Sequence, residues 1–181
     1  MDTSLKPATQ YTRTDPTVAG AGGDFQIPWD LTEIVEAKSL VAWVREEISG
    51  LHWDNPELVE YLRAHPNYHP RMLLTVLTYA YASGVFESEE ILRRCDTEPV
   101  YRALSTDAAP ESISAIRKFR RDNRALLKWG LIQSLKRCLE YTSNLNQGQM
   151  LLPAGVKRLL LDNAVARLEL ARHLDRAMQE I

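Results

Sequence analysis

Cysteine is scarce in this chain. Cys95 and Cys138 stand far apart, and neither belongs to a Cys-x-x-Cys pair. They supply no zinc site, and they read as two small reduced core residues rather than a disulfide. No apolar run approaches the roughly 20 residues that cross a bilayer. Met1 to Gly23 holds no apolar stretch of signal-peptide type. Together these absences predict a cytoplasmic protein with no membrane partner. Also missing are a glycine-rich phosphate loop, a Gly-x-Ser-x-Gly elbow and a His-Glu-x-x-His pair. Acidic residues are plentiful, as in Glu87-Ser88-Glu89-Glu90, but none is matched to a nucleophile. His65, Asn67 and His69 sit among prolines with no third ligand near, which suits a polar turn and not a metal site. An enzyme therefore has no residue constellation behind it, and no cofactor or metal is expected.

What is present is a local charge contrast. The formal net charge is −2. Residues 1–110 carry 9 Lys and Arg against 17 acids, whereas residues 111–140 carry 8 against 3. One basic segment in an otherwise acidic chain fits a local anion-binding surface.

Periodicity predicts helices throughout, with no alternating strand pattern. Residues 1–27, rich in Thr, Pro, Gly and Ala, read as a loosely packed tail. Asp30 and Glu33 have the spacing of a helix start, and apolar residues from Leu31 to Ile48 predict a helix over 30–49, stopped by Gly50. Asn55-Pro56 starts a second, short helix to Arg63. Pro70 opens a helix to Ser83 that is apolar nearly all round and should be the central buried one. Short helices follow from Ser88 to Cys95 and from Glu98 to Leu104. A basic helix runs over 112–121, bent at Asp122-Asn123. Another covers 124–141, with Leu126, Leu127, Leu131, Ile132, Leu135, Cys138 and Leu139 inward. A polar loop then leads to a long amphipathic helix over 156–179. The expected fold is all-α: a compact multi-helix domain over 28–143 containing a helix-turn-helix-like unit, then a loop and C-terminal amphipathic helix over 144–181.

The basic helix is the candidate site. With successive residues about 100° apart, Ile113, Ile116 and Phe119 share one edge. Ser114, Arg117, Lys118 and Arg121 then point away from it, with Arg124 beyond the bend. Such an outer face suits a DNA major groove, arginine pairing with guanine while lysine and serine hold phosphates. Ser114, Arg117, Lys118, Arg121 and Arg124 are the expected DNA-binding residues. A solvated basic face balancing an acidic neighbour is the plainer alternative.

Several blocks carry a family likeness. Tyr68-His69-Pro70-Arg71-Met72-Leu73-Leu74, followed by Leu77, Tyr79-Ala80-Tyr81 and Gly84, resembles the N-terminal domain of InsH-like bacterial insertion-sequence transposases. Ser88, Ile91, Val100-Tyr101-Arg102-Ala103-Leu104, Pro110, Ile113 and Phe119-Arg120-Arg121 continue the pattern in order. The resemblance spans about residues 56–140. It implies a helical domain that recognises the ends of a mobile element, which in such enzymes precedes an RNase H-like domain with three carboxylates. That second domain is not in the pattern here: Glu140, Asp162, Glu169, Asp175 and Glu180 all fall in helical stretches. The expected function is double-stranded DNA binding without cleavage, at element ends or as a regulator. The alternative is a dimerisation or protein-docking module working through Leu168, Leu174 and Met178 of the C-terminal helix. Glu89 and Glu90, acidic where the family is often basic, favour that alternative.

Overall fold

A computed structural model of the chain describes residues 27–51, 69–105, 109–145 and 154–177, with position 63. Seven α-helices are described: α1 Ala37–Ser49, α2 Pro70–Ala82, α3 Ser88–Thr97, α4 Pro99–Leu104, α5 Ile113–Asp122, α6 Arg124–Leu145 and α7 Ala154–Ala177. Among the described residues there is no strand, only a lone antiparallel bridge between Asp30 and Ser83. The fold is all-helical, as the periodicity predicts. Residues 1–26 of the expected tail, the Trp53 region and most of the helix expected from Asn55 lie outside the described residues, while Ile27, the last residue assigned to that tail, is buried in the core. So do His65, Asn67, the loop centred on position 149, Met178 and Glu180.

The central helix is α2. Pro70 occupies its first turn, where a missing N–H costs nothing. Every residue from Leu73 to Ala82 is buried, because α1, α6 and α7 all pack on it. Gly130 of α6 is what allows the closest approach: a Cβ there would lie 2.8 Å from Thr78 Oγ1. Two long helices thus meet backbone to side chain at one point.

The first predicted helix is broken. Leu31–Glu33 is a 3-10 turn, and α1 begins only at Ala37. Asp30 does cap, but locally: its carboxylate accepts from the Thr32 backbone N–H at 2.8 Å and from the Thr32 hydroxyl at 2.6 Å. That bond closes a tight turn, and Glu36 then adopts an extended conformation (φ −62°, ψ 138°). Leu31, Val35, Leu40, Val44 and Ile48 are nevertheless all buried, so the apolar stripe survives the break in the backbone.

Arg167 of α7 locks this entry in place. Fully buried, it donates to the backbone carbonyls of Pro28, Trp29 and Tyr81, and its guanidinium lies 5.4 Å from the Trp29 ring centre. Gly84, at φ +75°, turns the chain out of α2, and a Cβ there would press within 3.3 Å of Asp30 Cβ. The same corner therefore needs a glycine for both backbone and space.

The other predicted segments hold with small shifts. Asn123 is the joint between α5 and α6: its N–H and its side-chain amide both donate to the Phe119 carbonyl, while its own carbonyl accepts from Leu127. One inward assignment fails. Leu126 is exposed, whereas Leu127, Leu131, Leu135, Cys138 and Leu139 are buried. On α6 the face toward α2 and α7 contains Leu127, and the preceding residue turns to solvent.

Candidate nucleic-acid interface

Helix α5 starts as the sequence indicates. Ser112 caps it, its Oγ accepting from the Ala115 N–H at 3.1 Å. Ile116 and Phe119 are buried, which fixes the helix's rotation and leaves Ser114, Lys118 and Arg121 exposed. The Phe119-Arg120-Arg121 block therefore divides. Phe119 enters the core, Arg120 is buried, and Arg121 stays in solvent with its side chain 74% exposed.

Arg117 does not face outward as expected. It bends toward Asp175 of α7, its Nε 3.3 Å from Oδ2, an ion pair without hydrogen-bond alignment. Arg120 Nη2 donates to the same oxygen, and Arg120 Nη1 donates to the Tyr81 hydroxyl at 3.4 Å. Asp175 is itself buried. It also accepts from Ser88, from the hydroxyl at 2.7 Å and from the backbone N–H at 3.2 Å. Ser88 is the first residue of α3, and Glu87 before it makes no capping bond. Asp175 thus caps α3 from the other end of the chain, where a negative group is also favoured by the helix dipole. Periodicity places Arg117 on a solvent face because it sees only one helix. The carboxylate that turns the side chain inward comes from α7.

The remaining cations are paired at the surface. Lys118 Nζ lies 2.8 Å from Asp122 Oδ2, and Arg121 Nε lies 3.2 Å from Asp122 Oδ1. Both pull the Asp122 carboxyl below its usual range, the Lys118 hydrogen bond most. Across the bend, Arg124 pairs with Glu169 of α7, and Arg172 reaches the other oxygen of the same carboxylate at 2.6 Å. The Arg124 hydrogen bond is the main cause of a lowered Glu169 carboxyl. Elsewhere in the basic segment, Arg137 is a structural tie from α6 to Glu46 and Glu47 of α1.

A regularity emerges. Asp175, Asp122 and Glu169 are each shared by two cations, so each cluster keeps one positive charge in excess. The clusters differ in strength. Breaking the buried Asp175 pair would cost about 3–5 kcal/mol, while the surface Glu169 pair is worth at most ~1 kcal/mol and the Asp122 pair lies open to solvent. Of the five residues the sequence singled out, Ser114, Lys118, Arg121 and Arg124 are exposed, and the structure sets Arg172 of α7 beside Arg124 across Glu169, which helical periodicity does not indicate.

A family model described as a transposase domain (DUF772) matches residues 32–122, half of the chain. The chain belongs to this transposase domain family. The match ends at Asp122, the last residue of α5, so Asp175, Glu169 and Arg172 lie beyond it. The motif residues mostly set the fold: Tyr101 and Leu104 are buried, and Arg102 closes onto the Asp96 carbonyl. No curated protein and no solved structure matches the chain.

The carboxylates of α6 and α7 are occupied by cations. Glu140 faces Lys136, Asp162 faces Arg158, and Glu169 and Asp175 are engaged as described. Among the described residues no group of three His, Cys, Asp or Glu side chains is placed to hold a metal ion. No described helix is long and apolar enough to cross a membrane. On α7, Leu168 is buried in the core, whereas Leu174 is partly buried against it.

Proposed function

We propose that this chain binds double-stranded DNA in the cytoplasm through the outer face of α5 and does not cut it. In this reading α3, α4 and α5 act as a helix-turn-helix-like unit. Ser114, Lys118 and Arg121 meet the duplex, with Arg124 beside them, and the protein occupies the ends of a mobile element as a regulator. The observation that carries the reading is the surplus of positive charge at the exposed clusters, two cations to each carboxylate. Such a surface gains from releasing counterions held by the phosphate backbone. Membership of the transposase domain family supports the same assignment. That Glu140, Asp162, Glu169 and Asp175 each hold a cation supports binding without cleavage.

The test is a salt series of duplex binding, with sequences selected from a random pool. Wild-type protein should bind with a log–log salt slope corresponding to several phosphates. Lys118→Ala should weaken all sequences alike and lower the slope by about 1, and Arg121→Ala should relax the preference at one base. In Mg²⁺ or Mn²⁺ neither nicking nor joining should appear. Absence of duplex binding at low salt refutes the DNA-binding reading; reproducible cleavage lost on mutating Asp162 refutes the non-catalytic part.

A further inference from the structure

We infer that Arg124 and Arg172 form a second phosphate-binding site for the DNA backbone, built by α6 and α7, whose resting occupant is the Glu169 carboxylate. The inference rests on the DNA-binding reading above and extends it to a helix outside the family match.

The geometry is that of an anion clamp. Arg124 holds one oxygen of Glu169, and Arg172 holds the other at 2.6 Å. The two guanidinium groups come from different helices and converge on one planar anion. Guanidinium forks accept carboxylate and phosphate in the same way, so what suits Glu169 suits a phosphodiester. Both arginines are accessible, their side chains 45% and 43% exposed. The Arg172 Nε is itself buried and without a hydrogen bond, so its terminal nitrogens are what it offers an anion, as Nη2 does to Glu169. The pair carries one more positive charge than its occupant neutralises.

Position links this clamp to α5. Arg124 stands three residues beyond Arg121, past Asp122 and the joint residue Asn123, so the clamp lies just beyond the end of the basic helix. A duplex lying along α5 carries its backbone in that direction. Burial separates the two shared carboxylates of α7. Asp175 is buried with donors from α3 and α5 and stays in place. Glu169 sits at the surface on two side chains and gives way. Glu169 therefore acts as an internal competitor that moderates affinity, and Arg172 acts as a phosphate ligand.

The experiment is fluorescence anisotropy of a random-sequence duplex across a salt series, for wild type, Arg172→Ala, Glu169→Gln and the Lys118→Ala/Arg121→Ala double variant. Loss of one phosphate contact should lower the slope of Arg172→Ala by about 0.9 and its affinity about fivefold near 0.15 M salt. Glu169→Gln should bind more tightly, with a steeper slope, a gain that misfolding does not produce. If wild type binds and both single variants match it in affinity and slope, the clamp is refuted while the α5 reading stands. If Arg172→Ala and Glu169→Gln shift binding but the double variant does not, the α5 reading falls and the clamp stands. If wild type binds no duplex at low salt, both fall.

Discussion

Replacing Asp175 by Asn should be among the most destabilising single-atom-scale changes available in this protein. The carboxylate is buried and receives Ser88 through two bonds and Arg120 and Arg117 through charge. Asn keeps an acceptor for Ser88 but removes the negative charge. Arg120, with only 10% of its side chain exposed, is then left as a buried cation without its carboxylate. Removing one partner of a buried ion pair costs about 3–5 kcal/mol, a large share of the ~5–15 kcal/mol that holds a typical domain folded. For a chain of this size each kcal/mol moves the melting midpoint by roughly 2–4 °C, so the drop should be about 6–20 °C. Asp175→Ala should fall further, because the Ser88 N–H and hydroxyl also lose their partner, at about 1–3 kcal/mol. Glu169→Gln is the matched control: it also removes a carboxylate shared by two arginines, but at the surface, and should cost no more than ~1 kcal/mol. Thermal and urea unfolding by circular dichroism read all three. If Asp175→Asn and Glu169→Gln melt together, the buried junction does not hold α3, α5 and α7 as argued.

Truncating Leu74 or Leu77 to Ala, both fully buried on α2, should cost ~2–5 kcal/mol; an unchanged urea midpoint for both would contradict the packing described. Gly84→Ala should destabilise by about 1–3 kcal/mol, since φ is +75° and Asp30 and Trp29 crowd the new Cβ; equal or higher stability on thermal melting would show that the turn relaxes freely. Burial pushes the Cys95 and Cys138 thiols up to about 11, so neither should be alkylated at pH 8 until the protein is unfolded; rapid labelling of native protein would place a thiol at the surface. The Arg93 and Arg94 hydrogen bonds hold the Glu90 carboxyl down at about 2. A lowered folded-state value means that its contribution is present above the unfolded value near 4.5 and is lost as pH falls toward 2. With both arginines replaced by Ala, carboxyl titration by NMR should return Glu90 toward 4.5; a value that stays near 2 would show that another group holds it down.

The helices are legible in the sequence, except that the one expected over 30–49 divides into a 3-10 turn and α1. An apolar surface nearly all round identifies α2 as the central helix, apolar spacing at 3.6 residues identifies α5 as one-sided, and proline, serine and asparagine mark starts and joints at Pro70, Ser112 and Asn123. These are local effects of backbone geometry and capping, so they are written in neighbouring residues. The order of the blocks around Tyr79-Ala80-Tyr81 and Phe119-Arg120-Arg121 was enough to name the family. Tertiary structure alone decided where the charges went. Arg117 and Lys118 are consecutive in sequence, yet one is turned in to Asp175 and the other stays out with Asp122. Nothing near Arg117 in the chain announces this, because its partner lies on α7. Likewise Leu126 is exposed beside buried Leu127, and Arg172 meets Arg124 only because α6 and α7 pack together. Periodicity gives the direction in which a side chain leaves its helix. Which group waits there is set by long-range packing, since ion pairs and caps form between whatever elements the core brings within a few ångströms.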